Sequence, residues 1–295
     1  MRRPRILIIG AAAAIAVAAL IILPLELTGG GSSTSTQHVA QGHHGAAPGA
    51  RKHQLVRRQT ALNRKLRKAQ RRAATRRARK PVGHRHRGMW IPWRPDGTSL
   101  VAGARKRWLA VYRIPHAKKP MLLLRNPDKI GTPRVLLVHS NRHRWVRVYL
   151  PTRPNGATGW VRARAVRVLR NPYRIVVRLR THKLYLFRGT KRVVSGKTVT
   201  GRPSLPTPVG MYYVVDLLKP PDPNGAYGPY TFDLSAHSNV LKTFAGGDGH
   251  VAIHGTNEPG LLGQSVSHGC IRVSNAVIRR LAHVLPLGTP VLIRR

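Results

Sequence analysis

From Leu100 to the C-terminus the chain is cut into short apolar runs separated by turn residues, and this punctuation limits the fold more than any other feature. RWVRVYLPT, RPNGATG and WVRARAVRV follow one another, and their alternation around the Asn155-Gly156 turn predicts a β-hairpin. Beyond Pro172, the runs YRIVVRLR, KLYLFRG, KRVVSGKTV and MYYVVDLL are rich in β-branched and aromatic residues and predict more strands, joined as antiparallel hairpins. Tyr185, Phe187, Tyr212 and Tyr213 fit core packing on such strands. One segment breaks the pattern. Val277, Ile278, Leu281, Ala282 and Leu285 fall on one helical face behind Ser274, a good N-cap. A helix is therefore expected from Asn275 to Val284, with Gly288 ending the turn after it and TPVLIRR closing the chain as a strand. The expected fold is mainly β with one principal helix.

Charge bears on partners. The chain has 53 Lys and Arg against 8 Asp and Glu, a formal net charge of +45, which attracts any polyanion: nucleic acid, anionic lipid or anionic wall polymer. Location has to choose among them. Arg2, Arg3 and Arg5 precede an unbroken apolar run from Ile6 to Leu23, whose eighteen residues would span roughly 27 Å as a helix, near the hydrocarbon thickness of a bilayer. Pro24, Leu25, Glu26 and Leu27 make a poor cleavage site, so a retained anchor is favoured over a cleaved signal. Residues 24 to 50 hold no Lys or Arg, and the positive-inside rule then puts the N-terminus in the cytoplasm and the rest outside. The expected location is the cell envelope, with no nucleic-acid partner. Residues 1–28 are thus read as anchor or signal, and 29–88 as a flexible spacer followed by a basic tether free of acids from Arg51 to Arg87. That tract either adheres to anionic wall polymer or a membrane surface, or is a solvated tether. Residues 89–170 form a β domain and 171–295 a second one.

The chemistry concentrates in HVAIHGTNEPGLLGQSVSHGCIRV, residues 250 to 273. Cys270 is the only cysteine, so it has no internal disulfide partner, and outside the cytoplasm a lone thiol is an oxidation liability that raises the prior for a reactive role over an inert one. A cysteine nucleophile needs a base, and acyl transfer needs backbone N–H donors aimed at an oxyanion. His254 and His268 are both candidate bases; His254, reached across a loop, is the more natural partner. Gly269 permits a backbone in which successive amides converge. His250 shares a strand face with His254 and could join His254, His268 and Cys270 around zinc, but no second cysteine or carboxylate stands at metal-site spacing, so no metal is expected. Ser267 is read as supporting the turn or as a plain cap. KPPDPNGAYGPY and the loop to AGGDGH read either as a lid or as passive surface.

With IHG followed by SHGCIR sixteen residues from histidine to cysteine, and LPTPVG upstream, residues 172 to 295 resemble the L,D-transpeptidase catalytic domain. The segment ending in GWVRARAV resembles bacterial SH3-like domains, which by analogy bind wall material or act as spacers. The first resemblance implies a β-sandwich-like catalytic domain in which Cys270 is the nucleophile and His254 the general base. It further implies that the Gly255 carbonyl orients the imidazole and that His268 surrounds the oxyanion with the Gly269 and Cys270 amides. Arg272 would steady the site or a substrate carboxylate, and Ser267 is placed with it among the substrate-binding residues. It implies peptidoglycan tetrapeptide stems as substrate, no cofactor, and cross-linking with release of D-alanine. An L,D-carboxypeptidase, using water to resolve the same thioester, and a non-enzymatic wall- or membrane-binding protein are the alternatives. Removing His254 is expected to leave a thiol that recovers reactivity near pH 8.5.

Overall fold

The computed structural model describes residues 84–86, 89–244 and 247–295. The apolar run 6–23, the spacer and most of the basic tract lie outside them. Among the described residues no helix is long and apolar enough to cross a membrane.

Strands β1 (His84–His86) and β2 (Met89–Ile91) form a small antiparallel pair. Next come β3 (Ser99–Ala104), β4 (Trp108–Val111), β5 (Leu122–Arg125), β6 (Val135–Arg142), β7 (Trp145–Tyr149), β8 (Thr158–Arg162) and β9 (Val166–Asn171). They build a five-stranded antiparallel sheet in the order β8-β7-β6-β3-β9, with the β4–β5 hairpin beside it. The expected hairpin is β7–β8, in register from Trp145 opposite Arg162 to Tyr149 opposite Thr158. Gly156 in the intervening loop has φ +79°, a conformation that favours glycine.

The second unit holds β10 (Tyr173–Arg178), β11 (Lys183–Arg188), β12 (Lys191–Gly201), β13 (Gly210–Leu218), β14 (Thr231–His237), β15 (His250–His254), β16 (Ser265–Ser267), β17 (Ile271–Val273), helix α1 (Asn275–Val284) and β18 (Pro290–Arg294). Its sheet runs β11-β10-β18-β13-β14-β15-β17-β12-β16, and β11 also pairs with β12, so the sheet curls until its ends meet. The expected helix and its cap are present: the Ser274 hydroxyl accepts the Val277 N–H. The expected antiparallel hairpins are present as β10–β11 and β11–β12, while β10–β18, β12–β16 and β15–β17 are parallel. Parallel neighbours need a long crossover. For β15 and β17 that crossover is the glycine-rich segment 255–270, which carries β16 on the way.

Strand β13 shows how the units meet. Tyr212 and Val214 join the inner core with Ile175, Phe232, Ile253 and Leu281 of α1, while Met211, Tyr213 and Val215 point the other way into a core shared with Leu100, Leu136 and Val148 of the first unit. Alternation on a strand buried from both sides explains a run in which both tyrosines are almost fully covered. Gly288, at φ +78°, sits so close to Val101 and Val135 that a Cβ there would come within 2.7 Å of Val101. The first unit therefore covers the outer face of the sheet over β10, β18 and β13. The same face beyond it, over β14, β15 and β17, is polar.

Candidate active site

That polar face is set by register. Ile253 pairs with Ile271, both fully buried in the inner core, so their neighbours Ala252 and His254 on β15, with Cys270 and Arg272 at β17, project to the outer face. His254 lies opposite Arg272, and Cys270 lies alongside Ala252. The parallel pairing is what brings two residues sixteen apart onto neighbouring strands.

His254 is buried, and its Nδ1 lies 2.7 Å from the Gly255 carbonyl oxygen. A carbonyl only accepts, so Nδ1 carries the proton and Nε2 keeps its lone pair. Burial pushes the imidazole down to about 4, a hydrogen bond to Gly255 works against that, and the Arg272 charge adds to it. Cys270 keeps a half-exposed residue surface, yet its sulfur sits among enough protein to be desolvated. Burial pushes the thiol up to about 11; a hydrogen bond from the Ala252 backbone opposes the rise, Asp233 adds to it and Arg272 opposes it. The resting pair is thus a neutral thiol and a neutral imidazole.

The turn carrying the cysteine is held from below. Gly269 has φ +117°, the left-handed region. The Ser267 hydroxyl accepts the Gly269 N–H at 3.1 Å and donates to the Cys270 carbonyl at 2.6 Å. Thr207, from the LPTPVG loop, accepts the Gly201 N–H and donates to the Gly269 carbonyl. Ser267 is 1% exposed and fully engaged in the turn, which corrects its placement among substrate contacts. The Gly269 amide is likewise occupied inside the turn. His268 is exposed, with its ring 5.6 Å from that of Phe244. Arg272 is ion-paired with Glu258 at 2.5 Å.

Sequence reasoning missed Tyr227, Asn275 and Thr207. The loop 219–230 brings the Tyr227 ring to 4.9 Å from His254. Burial raises the pKa of Tyr227, with the Cys270 charge as the next cause, so the phenol borders both residues. Asn275 accepts the Thr256 N–H at 2.9 Å and fixes the chain just after His254. A tyrosine followed by Gly228 in a proline-rich loop was the available signal. His250 does not join His254, His268 and Cys270; it pairs with His237 across β14–β15 and contacts Asp248 instead.

Residues 172–293 match the L,D-transpeptidase catalytic domain family, YkuD. The YkuD protein of Bacillus licheniformis is 35% identical over 122 residues, 41% of this chain and 66% of that protein, and YkuD of Bacillus subtilis is 32% identical over 42% of this chain and 67% of that protein. YqjB of Bacillus subtilis is 31% identical over 42% of this chain and 71% of its own length. All three carry L,D-transpeptidase names. The chain belongs to the L,D-transpeptidase family. A solved structure, L,D-transpeptidase 3 from Mycobacterium tuberculosis, aligns with a TM-score of 0.34 at 19% identity, over 48% of this chain and 75% of that one. The family match begins at Pro172, so the SH3-like reading of residues 89–170 rests on its strand pattern alone.

Proposed function

We propose that the chain is an exported L,D-transpeptidase that cross-links peptidoglycan through Cys270. The observation that carries this reading is the outward-facing set on β15 and β17: a desolvated thiol, and an imidazole whose tautomer leaves Nε2 as a base. In the reaction, His254 takes the proton of Cys270 as sulfur attacks the carbonyl joining the third, L-centred residue of a tetrapeptide stem to its terminal D-alanine. The C–N bond breaks, D-alanine leaves with that proton, and a thioester remains. The amine of a second stem then attacks the thioester and restores the thiol. Because the Gly269 N–H is held by Ser267, the Cys270 amide is the backbone donor assigned to the oxyanion. Arg272, already paired with Glu258, lends positive potential beside the sulfur. An anchored location outside the cytoplasm, read from the charges flanking residues 6–23, suits this substrate, and the basic tract 51–87 suits an anionic wall or membrane surface.

Hydrolysis of the same thioester, an L,D-carboxypeptidase reaction, shares every step up to the acyl-enzyme. Intact-protein mass after incubation with a defined tetrapeptide stem or a carbapenem should show an adduct for the native chain and none for a folded Cys270→Ser variant. Product analysis with two stems should show a dimer. An adduct forming on Cys270→Ser at the native rate would sink the assignment of the nucleophile.

A further inference from the structure

Two residues before the catalytic strand's polar face, a second cluster has no part in the chemistry above. His237 closes β14 and His250 opens β15, directly opposite each other in register, and Asp248 lies in the turn between them. Asp248 Oδ2 is 3.3 Å from His237 Nε2, and Asp248 Oδ1 is 2.9 Å from His250 Nε2. The two rings meet edge to face with centroids 4.3 Å apart. One donor atom from each of the three residues falls within a sphere of mutual separation no wider than 4.8 Å.

Both imidazoles turn Nε2 toward the one carboxylate, and His237 is 1% exposed. Two ring nitrogens and a carboxylate gathered around one point have the composition of a metal-ligand set. The spacing fits a particular ion. Ligands about 2.0–2.1 Å from a tetrahedral zinc lie roughly 3.3 Å from one another; here each imidazole nitrogen lies 3.3 or 2.9 Å from its own oxygen of Asp248, and one donor atom from each residue falls within 4.8 Å of the others. Calcium and magnesium prefer all-oxygen shells, whereas two imidazoles and a carboxylate suit zinc. The side chain of Asp248 is 61% exposed and that of His250 34%, so an ion has a path in and a fourth position is open to water.

We propose that His237, Asp248 and His250 bind one zinc ion, which ties the end of β14 to the start of β15. The intervening segment carries Phe244, whose ring lies against His268 two residues before the nucleophile, so the ion would fix one wall of the site without entering the reaction. Around the cluster, Arg153 donates to the Asp248 backbone carbonyl at 2.9 Å and holds the turn without using the carboxylate.

The test uses the full chain, whose N-terminal histidines also attract metal, so it reads a difference. After dialysis against zinc and then a weak competing chelator, the native protein should retain one more equivalent of zinc, measured by elemental analysis, than Asp248→Asn or His250→Ala. Zinc should raise the thermal midpoint of the native chain and of Cys270→Ser alike, and leave both cluster variants unmoved. Circular dichroism confirms that the variants, altered at partly exposed side chains, are folded. Equal zinc content in native protein and both variants overturns the proposal, as does loss of the extra equivalent in Cys270→Ser, which would put the ion on the nucleophile. Neither readout involves acylation, so failure here is separate from failure of the transpeptidase reading.

Discussion

At the scale of single residues, the site is governed by two opposed desolvations. Burial disfavours both charged forms, holding the Cys270 thiol up at about 11 and the His254 imidazole down at about 4. In the proposed reaction the thiolate forms as sulfur attacks, with His254 as acceptor, rather than from a stored ion pair. The sign follows directly. His254 is neutral, and competent as a base, at every pH above about 4, so carbapenem acylation of the native chain should be nearly flat from mildly acidic to mildly alkaline pH and fall only as pH drops toward 4. His254→Ala should be slower by about 10²–10⁴-fold near neutrality, the usual contribution of a positioned base. Its rate should then climb about tenfold per pH unit well past 8.5, because the only remaining ionisation is that of a thiol whose folded value is near 11. Sequence spacing, from which recovery near pH 8.5 is expected, carries no information on how much protein surrounds the sulfur. Stopped-flow acylation across pH checks this, and a native bell centred near pH 7 would contradict the neutral pair.

At the scale of elements, the loop 219–230 meets the turn after β15 through two glycines. A Cβ on Gly228, which has φ +62°, would lie 2.7 Å from the Gly255 Cα and 2.4 Å from Asn275 Oδ1. Backbone cannot yield there as a flexible side chain can. Gly228→Ala should therefore push Tyr227 off His254 and destabilise the protein by about 1–3 kcal/mol, from the strained conformation together with the clash. Acylation slowed at least tenfold in a protein that still folds is the expected result, and unchanged rate and thermal midpoint would show that the contact is slack. This contact also marks where sequence reading stops. Helix α1, its Ser274 cap and the strands of the second unit were legible because propensity and periodicity are local properties. Cys270, His254 and Gly255 could be singled out from sequence because they fall in one short segment. Tyr227, Thr207 and Asn275 come from three other elements and reach the site only through the parallel β15–β17 pairing and the curl of the sheet, neither of which leaves a local signature. From sequence Ser267 reads both as turn support and as a substrate contact, and its hydroxyl is spent within the turn.

At the scale of the whole molecule, the first unit packs directly on the second. Its core is continuous with the outer face of the second sheet through Met211, Tyr213, Val215, Val176 and Leu292, so separating the units would expose a large apolar surface to water. Its β7–β8 loop then reaches toward the site. Arg153 donates to the carbonyls of Ser238, Leu241 and Asp248, at 2.6, 2.9 and 2.9 Å, while Asn155 accepts the His237 N–H at 2.9 Å and donates to the His237 carbonyl at 2.7 Å. The Asn155 amide completes the end of β14 as another strand would. One face of the candidate site is therefore held by the neighbouring unit, which supplies partners for the backbone at His237, Ser238, Leu241 and Asp248 in addition to those within the segment 237–249. Removing them leaves backbone groups unpaired, at about 1–3 kcal/mol for each one buried. In the full chain, Asn155→Ala, and Arg153→Ala more strongly, should speed amide hydrogen exchange across residues 237–249 and slow acylation, while exchange within β10 and β11 stays as in the native protein. If exchange in 237–249 is unmoved by both substitutions, the loop merely rests on the catalytic unit. Faster exchange confined to that segment would mean that the first unit shapes the wall beside Cys270 from a loop some 115 residues earlier in the chain.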